Sequence, residues 1–397
     1  MTPELDKKID STVERLRTLW ATLKGRIPFV AFSTGKDSLA MAAMLYEAVA
    51  PEKPPCIYSH HDFEFPECHE YLKTMEGFGF KIEVARPFLS YFELMDRGIG
   101  FLTRHNAWCV PMLVGTALLE WLRCNGANSP SDGVMFRGIS GSEYGKKFHR
   151  ELEIYERLEL PTINPMLDFT KEEILQMITE RYNLPLNPIY DHLPRTYCIC
   201  CYTSADPKRV AYSKGRFPAE CKKYYRQIEE MLFDSGLVEC VAENEKMLSR
   251  EEKLERHGFV HWRRRKEQER VGAIRLHNES GVFSYLIRDA DWIDEKHLEP
   301  LRGKWVRKGN EIRFFEVPES LADTVIKRMI NCIDCGFCTM QCMRCRTFDH
   351  LEKRLAIHGC TQCGECLSLK HCMGWQHRFW RRVIREKNAM GKGHEFN

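Results

Sequence analysis

The sequence lacks the apolar run of about eighteen residues that a membrane-crossing helix needs. Residues 1–26 also lack the apolar core and small-residue cleavage site of a secretory signal, and read instead as a charged amphipathic helix. The chain is therefore expected in the cytoplasm, with no membrane partner. An excess of charge of one sign is missing too. Net charge is +3, with 59 basic against 56 acidic residues, so bulk charge argues neither for nor against a nucleic-acid partner. There is no low-complexity tract, and no internal repeat apart from two cysteine clusters near the C-terminal end. At 397 residues the chain exceeds one ordinary domain, and two or three are expected.

Local charge is less even. His261-Trp262-Arg263-Arg264-Arg265-Lys266 and the tail over 375–392 are basic and carry aromatic residues. Contact with nucleic-acid phosphates is one reading, and a solvated helix face or a subunit contact is the plainer one. Trp375, Phe379 and Trp380 sit at helical spacing and fit a cover for the neighbouring domain better than a stacking platform for bases.

What the sequence has in excess is cysteine, 18 in all. A reducing compartment disfavours disulfides, so bunched cysteines read first as metal or cluster ligands. Cys198, Cys200 and Cys201 form one group. Cys332, Cys335, Cys338, Cys342 and Cys345 form a second, and Cys360, Cys363, Cys366 and Cys372 a third. Cys56, Cys68, Cys124 and Cys240 stand apart and read as small buried apolar residues.

Short apolar runs alternate with helical stretches from residue 28 to about 202. Strands are expected over 28–32, 55–59, 81–85 and 133–138, with helices over 39–49, 66–78, 110–123 and 170–182, the last opened by a Thr cap. This alternation predicts an α/β fold with a doubly wound, mostly parallel sheet. Past residue 236 the character changes. Residues 242–266 are charge-dense and read as helical, and β-rich runs follow over 272–276, 282–287 and 305–317, the last broken by a hairpin turn at Gly309-Asn310. The expected layout is an N-terminal helix (1–26), an α/β domain (27–235), a small β-containing connecting domain (236–328), a cysteine-rich domain (329–375) and a basic tail (376–397).

The strand over 28–32 leads straight into Ser33-Thr34-Gly35-Lys36-Asp37-Ser38, and a helix follows at once. Exposed backbone N–H groups at that helix N-terminus, with the positive end of its dipole, make an anion cradle. Gly35 lets the backbone approach phosphates without a Cβ in the way. Lys36 supplies a mobile positive charge, Ser33 and Ser38 supply hydroxyls, and Asp37 can help hold a magnesium ion or cap the helix. The Gly-x4-Gly-Lys spacing of a Walker loop is absent.

The cysteine spacing is equally specific. Cys332-x2-Cys335-x2-Cys338-x3-Cys342 is the bacterial ferredoxin run, and Cys360-x2-Cys363-x2-Cys366-x5-Cys372 is a looser second one. Thiolates every third residue wrap three irons of a cubane, and the fourth cysteine of each run crosses to the other cluster. One [4Fe–4S] cluster would then take Cys332, Cys335, Cys338 and Cys372, and the other Cys360, Cys363, Cys366 and Cys342. The proline usual after the fourth cysteine is missing, and Cys345 competes with Cys342. Closed tetrahedral zinc sites are the alternative, but two triplets offer more thiolates than one zinc uses.

The phosphate loop resembles the PP-loop of the ATP pyrophosphatase superfamily, written Ser-Gly-Gly-Lys-Asp-Ser, with Thr34 in place of the first glycine. Further segments resemble, in order, the phosphoadenosine phosphosulfate (PAPS) reductase branch. His61-Asp62-Phe63-Glu64-Phe65-Pro66-Glu67 is similar to its Asp-Thr-Gly-x-x-Phe-Pro-Glu element, which implies a nucleotide or metal contact for Asp62. Gly138-Ile139-Ser140-Gly141-Ser142-Glu143 resembles the Gly-Ile-Arg-x-x-Glu strand end, and this implies nucleotide contacts for Gly138 and Glu143. Ser140 stands where an arginine is usual, with Arg137, Lys146 and Lys147 as substitutes. Residues 164–170 and 187–191 resemble the Pro-Leu-x-Asp-Trp-Thr and Asn-Pro-Leu-Tyr-Asp elements. Arg195 ahead of Cys198-Ile199-Cys200-Cys201 is similar to the Arg-x-Gly-Cys-x-x-Cys close of the domain.

The resemblance covers about 28–230 and implies an adenine nucleotide α-hydrolase-like fold with Lys36, Asp37 and Arg195 in catalytic roles. The segment over 332–372 resembles ferredoxin modules fused to archaeal PAPS reductase-like proteins, whose preceding segment is similar to 301–317. Arg104-His105-Asn106-Ala107-Trp108-Cys109 resembles the place where relatives hold further cluster cysteines. A third [4Fe–4S] cluster on Cys109, Cys198, Cys201 and either Cys200 or Cys221 is the expectation there, with inert thiols as the alternative. Three cysteines would leave one iron open to carry a sulfur atom.

Two functions follow. The first is an iron–sulfur reductase of APS or PAPS, with an electron-donor protein, and with homodimer formation expected. The second is an ATP-dependent sulfur transferase acting on tRNA or DNA. The Glu-Cys-Gly-Leu-His nucleophile of thioredoxin-dependent PAPS reductases is absent, and Lys36 keeps ATP in play.

Overall fold

The computed structural model describes residues 1–100, 102, 108–141, 150–155, 158–196, 198–199, 207–234, 273–277, 282–287, 290–340, 342–363, 365–367 and 372–373. The expected helix over 242–266, Cys240, the arginine run over 263–266 and the tail with Trp375, Phe379 and Trp380 lie outside those residues. So do Glu143, Lys146, Lys147, Cys200, Cys201 and the segment 104–107. The chain divides into two units, Met1–Pro87 with Trp108–Cys221, and Phe88–Ala107 with Lys222–Asn397.

In the first unit, α1 (Pro3–Ala21) starts at Thr2, whose Oγ1 accepts from the Leu5 N–H at 3.2 Å. Its buried Leu5, Ile9, Val13 and Leu16 fall on one helical stripe. β1 (Ile27–Ala31) leads through the phosphate loop into α2 (Lys36–Val49), which is buried along nearly its whole length. That is why its apolar residues cover most faces rather than one. β2 (Cys56–Ser59), α3 (Pro66–Gly77) and β3 (Ile82–Ala85) follow. α4 (Tyr91–Asp96) falls within the second unit. A π-helical turn over Val110–Gly115 runs into α5 (Thr116–Cys124), and β4 (Gly133–Phe136) is buried at all four positions.

Sequence patterning does not pick out β5 (Leu152–Tyr155) or β6 (Leu160–Ile163), which Glu153 and Pro161 interrupt. α6 (Lys171–Gln176) opens with a Thr170–Glu173 capping box and continues as a π-turn over Met177–Arg181, so the stretch expected as one helix is built in two parts. α7 (Pro207–Arg216) and α8 (Pro218–Asp234) then carry the chain onward.

The sheet order is β3-β2-β1-β4-β6-β5, parallel throughout except for β5, which runs antiparallel to β6. The mixed α/β architecture with a mostly parallel sheet is therefore as expected. From β1 the chain winds outward to β3, then returns to place β4 on β1's other side. Strand order reverses there, and the crevice at the carboxyl ends of β1 and β4 is where doubly wound sheets bind ligands.

The second unit holds an antiparallel sheet of β7 (Ala273–His277), β8 (Phe283–Ile287), β9 (Trp305–Lys308) and β10 (Glu311–Phe314), in the order β7-β8-β10-β9. Gly309, at φ +58°, turns the β9–β10 hairpin. α9 (Glu319–Asn331) buries Ala322, Val325, Ile326 and Met329 in one core with Tyr285, Ile312 and Phe314 from the sheet and with Cys342, Cys345 and Cys366. β11 (Arg346–Asp349) and β12 (Arg354–Ile357) form a two-stranded antiparallel ribbon. Residues preceding and within α4 pack in this unit. Phe88 stacks on Phe348 with centroids 4.8 Å apart, and Arg97 donates to the carbonyls of Asp334 and Lys353, at 2.7 Å each.

Candidate functional site

The phosphate loop sits at the carboxyl end of β1. Gly35 is the N-cap of α2 and contributes no side-chain cap, which leaves the first N–H groups of the helix to an anion. A Cβ on Gly35 would lie 3.0 Å from Thr196 Oγ1 and 3.5 Å from Tyr190 Oη, so a side chain there would press on Thr196. Its shape is held internally. Ser33 N–H donates to Ser38 Oγ at 3.1 Å, Ser38 Oγ donates to the Gly35 carbonyl at 2.9 Å, and Lys36 N–H donates to Tyr190 Oη at 2.9 Å. Thr34, where the superfamily has glycine, adopts φ +60° and is buried. A β-branched residue in that region is strained, and strain of this kind gathers at binding sites. Lys36 is buried and pairs with Asp37 Oδ2, while Asp37 Oδ1 is buried with no hydrogen-bond partner. A carboxylate oxygen free beside a phosphate cradle fits a magnesium ion.

Gly138, at the end of β4, explains how the crevice closes on this side. A Cβ there would sit 2.1 Å from the Asp37 carbonyl oxygen and 2.8 Å from Ser38 N, so only glycine lets the turn after β4 approach the first turn of α2. Ser140 is fully buried. Arg137, considered as its stand-in, is occupied: its Nε donates to Asn164 Oδ1 at 3.0 Å and its Nη2 to Glu153 Oε1 at 2.6 Å. Asp62 is exposed at φ +67°, 3.4 Å from His60 Nε2, and Arg195 is exposed on the turn before Cys198.

In the second unit, Cys332, Cys335, Cys338 and Cys372 line one cavity, together with His297, Arg328 and Leu355. Cys342 has Cys345 and Cys366 as charged neighbours, and Cys366 has Cys360 and Cys338, so a second group adjoins the first. Cys363 is exposed. Burial pushes the Cys332 and Cys335 thiols well up, and neighbouring Asp334 or Cys338 adds to this; burial raises Cys342 to about 11. Such thiols ionise only against a compensating cation.

Polar groups surround these thiols. Arg346 Nη1 donates to Cys338 Sγ at 3.3 Å, and Arg328 Nη1 and both His297 ring nitrogens are buried with no hydrogen-bond partner. None of the cysteine groups among the described residues brings three ligand atoms within 4.8 Å of one another. A set of soft thiolates suits a thiophilic metal ion or an iron–sulfur cluster.

Residues 27–207 match the profile of the phosphoadenosine phosphosulfate reductase domain. They are a PAPS reductase domain. No curated protein matches the chain. Among solved structures, PAPS reductase from Candida auris in a phosphate complex is similar over 48% of this chain and 92% of its own, at 14% identity and TM-score 0.34. FMN adenylyltransferase from Candida glabrata, bound to FMN and the ATP analogue AMPCPP, is similar over 48% of this chain and 61% of its own, at 16% identity and TM-score 0.34.

Within the PAPS reductase domain, the cysteine group near residue 198 sits against the loop after β2. Glu64 and Cys198 form an isolated antiparallel bridge, and Ile199 N–H donates to the Phe63 carbonyl at 2.7 Å. Cys198 Sγ lies 3.8 Å from His61 Nε2. Cys109 precedes the π-turn as its N-cap, and Cys221 is buried in α8. Cys56 and Cys68 are buried, as expected for isolated cysteines, whereas Cys124 is exposed. Sequence reading passed over His60, Glu64 and His69, whose ligand atoms converge. The histidine pair at the end of an apolar strand was the available signal.

Proposed function

We propose that the chain is an iron–sulfur sulfonucleotide reductase, with APS or PAPS held on the loop from Ser33 to Ser38 and electrons supplied by an electron-donor protein. The observation that carries this reading is a PAPS reductase domain in one chain with Cys372 lining the same cavity as Cys332, Cys335 and Cys338, and with Cys342 beside Cys366. In this reading the N–H groups opening α2, the Ser33 and Ser38 hydroxyls and Lys36 bind the nucleotide phosphate. Reduction breaks the bond between sulfur and the bridging oxygen: two electrons enter, sulfite leaves, and the adenosine phosphate keeps the oxygen. Lys36 stabilises the negative charge that develops on that oxygen. Asp37 Oδ1 would help hold a magnesium ion against the phosphates. When bound, [4Fe–4S] clusters on Cys332, Cys335, Cys338 and Cys372, and on Cys342, Cys360, Cys363 and Cys366, supply one electron each.

One observation favours a second reading, ATP-dependent sulfur transfer to tRNA or DNA. A buried lysine paired with an aspartate in the loop suits a triphosphate whose pyrophosphate must leave. Anaerobic protein offered APS, PAPS, or ATP with tRNA separates the two. Sulfite from a sulfonucleotide is the expected product, and pyrophosphate released only from ATP with a nucleic-acid acceptor sinks the reductase.

A further inference from the structure

β2 ends at Ser59, and the chain turns through His60, His61 and Asp62 before α3 begins at Pro66. The left-handed step at Asp62 doubles this turn back, so that His60 Nδ1 and Glu64 Oε2 face each other at 3.4 Å. His69, in the first turns of α3, brings its ring edge-on to His60 with centroids 4.4 Å apart. One ligand atom from each of His60, Glu64 and His69 lies within 4.8 Å of the other two.

His60 Nδ1 and Glu64 Oε2, though 3.4 Å apart, are both buried without a hydrogen bond, and the Glu64 side chain is only 8% exposed. A buried acceptor left without a hydrogen bond is unfavourable. The other carboxylate oxygen accepts from the His61 N–H at 2.7 Å, which fixes the direction in which Oε2 points. The cluster opens into a cavity of about 440 Å³ in which Asp62, Glu70 and Glu220 place further carboxylates, an approach suited to a cation.

We propose that His60, Glu64 and His69 bind one divalent transition-metal ion of the zinc or iron(II) class, with its remaining coordination positions open to the cavity. Two imidazoles and a carboxylate select such ions over magnesium, which prefers oxygen alone. The site does not rest on the sulfonucleotide reading or on the cysteine groups over 332–372, and Cys198 adjoins it.

The test is Co²⁺ titration of the full-length, anaerobically purified protein with its cysteine-held metal in place, followed by absorption spectroscopy and metal analysis. One equivalent is expected, with ligand-field bands and no thiolate-to-metal charge transfer. Losing only a hydrogen-bond partner of a ligand weakens metal sites by about 10–100-fold, so His69→Ala, which removes a ligand, should weaken binding about a hundredfold or more. His69 is only partly buried, and this variant should keep the wild-type circular dichroism. Glu64→Gln should act likewise. Unchanged affinity in both variants, thiolate charge transfer on the bound ion, or no Co²⁺ bound by the wild type would each overturn the proposal.

Discussion

In the PAPS reductase domain the phosphate loop is shaped largely by backbone: the N-terminus of α2, which Gly35 leaves without a side-chain cap, and Gly138 touching the loop's own peptide groups. The cavity of the second unit is shaped largely by side chains, four sulfurs with Arg328 and His297 beside them and Arg346 hydrogen-bonded to one of the four. The first kind of site is spoiled by adding an atom. The second is spoiled by removing one.

The sharpest break of that contrast comes from Cys335→Ala. It should cut iron content by about the four atoms of one cluster and leave residues 290–373 open to limited proteolysis. Metal binding of this kind contributes on the order of 10 kcal/mol to folding. The PAPS reductase domain should stay protected, and loss of both units together would contradict the division drawn here. Gly138→Ala should do the converse. With a Cβ 2.1 Å from the Asp37 carbonyl, urea unfolding of the first unit should show a loss of about 3 kcal/mol, with iron content unchanged.

The contrast also explains what the sequence disclosed. Ser33 to Ser38 was legible because a strand, a tight anion-binding loop and a helix must follow one another locally. The grouping of Cys372 with the 332–338 run was legible because ferredoxin-type spacing predicts that crossover. The cluster of His60, Glu64 and His69 was not, because a left-handed residue at Asp62 brings the three together and no periodicity signals it. β5 escaped because an edge strand that exposes Leu152 and Ile154 carries no apolar face toward a core, and β6 because Pro161 interrupts a short run. The docking of Phe88 and Arg97 in the second unit escaped because their partners lie hundreds of residues away.

Smaller effects sharpen the comparison further. Lys36→Gln should raise the Kd for adenosine nucleotides about tenfold to a hundredfold by calorimetry, since a hydrogen bond to a charged group contributes about 1.5–3 kcal/mol, and should leave iron unaltered. The least change concerns Cys56 in β2, whose thiol burial pushes up from 9.0 to about 12. A raised thiol stabilises the fold fully below pH 9, and that contribution fades as pH climbs from 9 towards 12. Thermal melts of the wild type should therefore fall across that window, and Cys56→Ala should flatten part of the decline.

The position of α4 bears on how the protein is made. Arg97 donates to the backbone of residue 333, which is 236 residues further along the chain. At about 5–20 residues per second, a ribosome delivers that partner on the order of ten seconds or more after Arg97 has emerged. Phe88 and Arg97 must wait through that interval while the sheet on either side of them assembles. The nascent chain therefore carries a stretch that cannot reach its native environment until residues 333–353 have been made, and a chaperone holding it during translation would have a defined target.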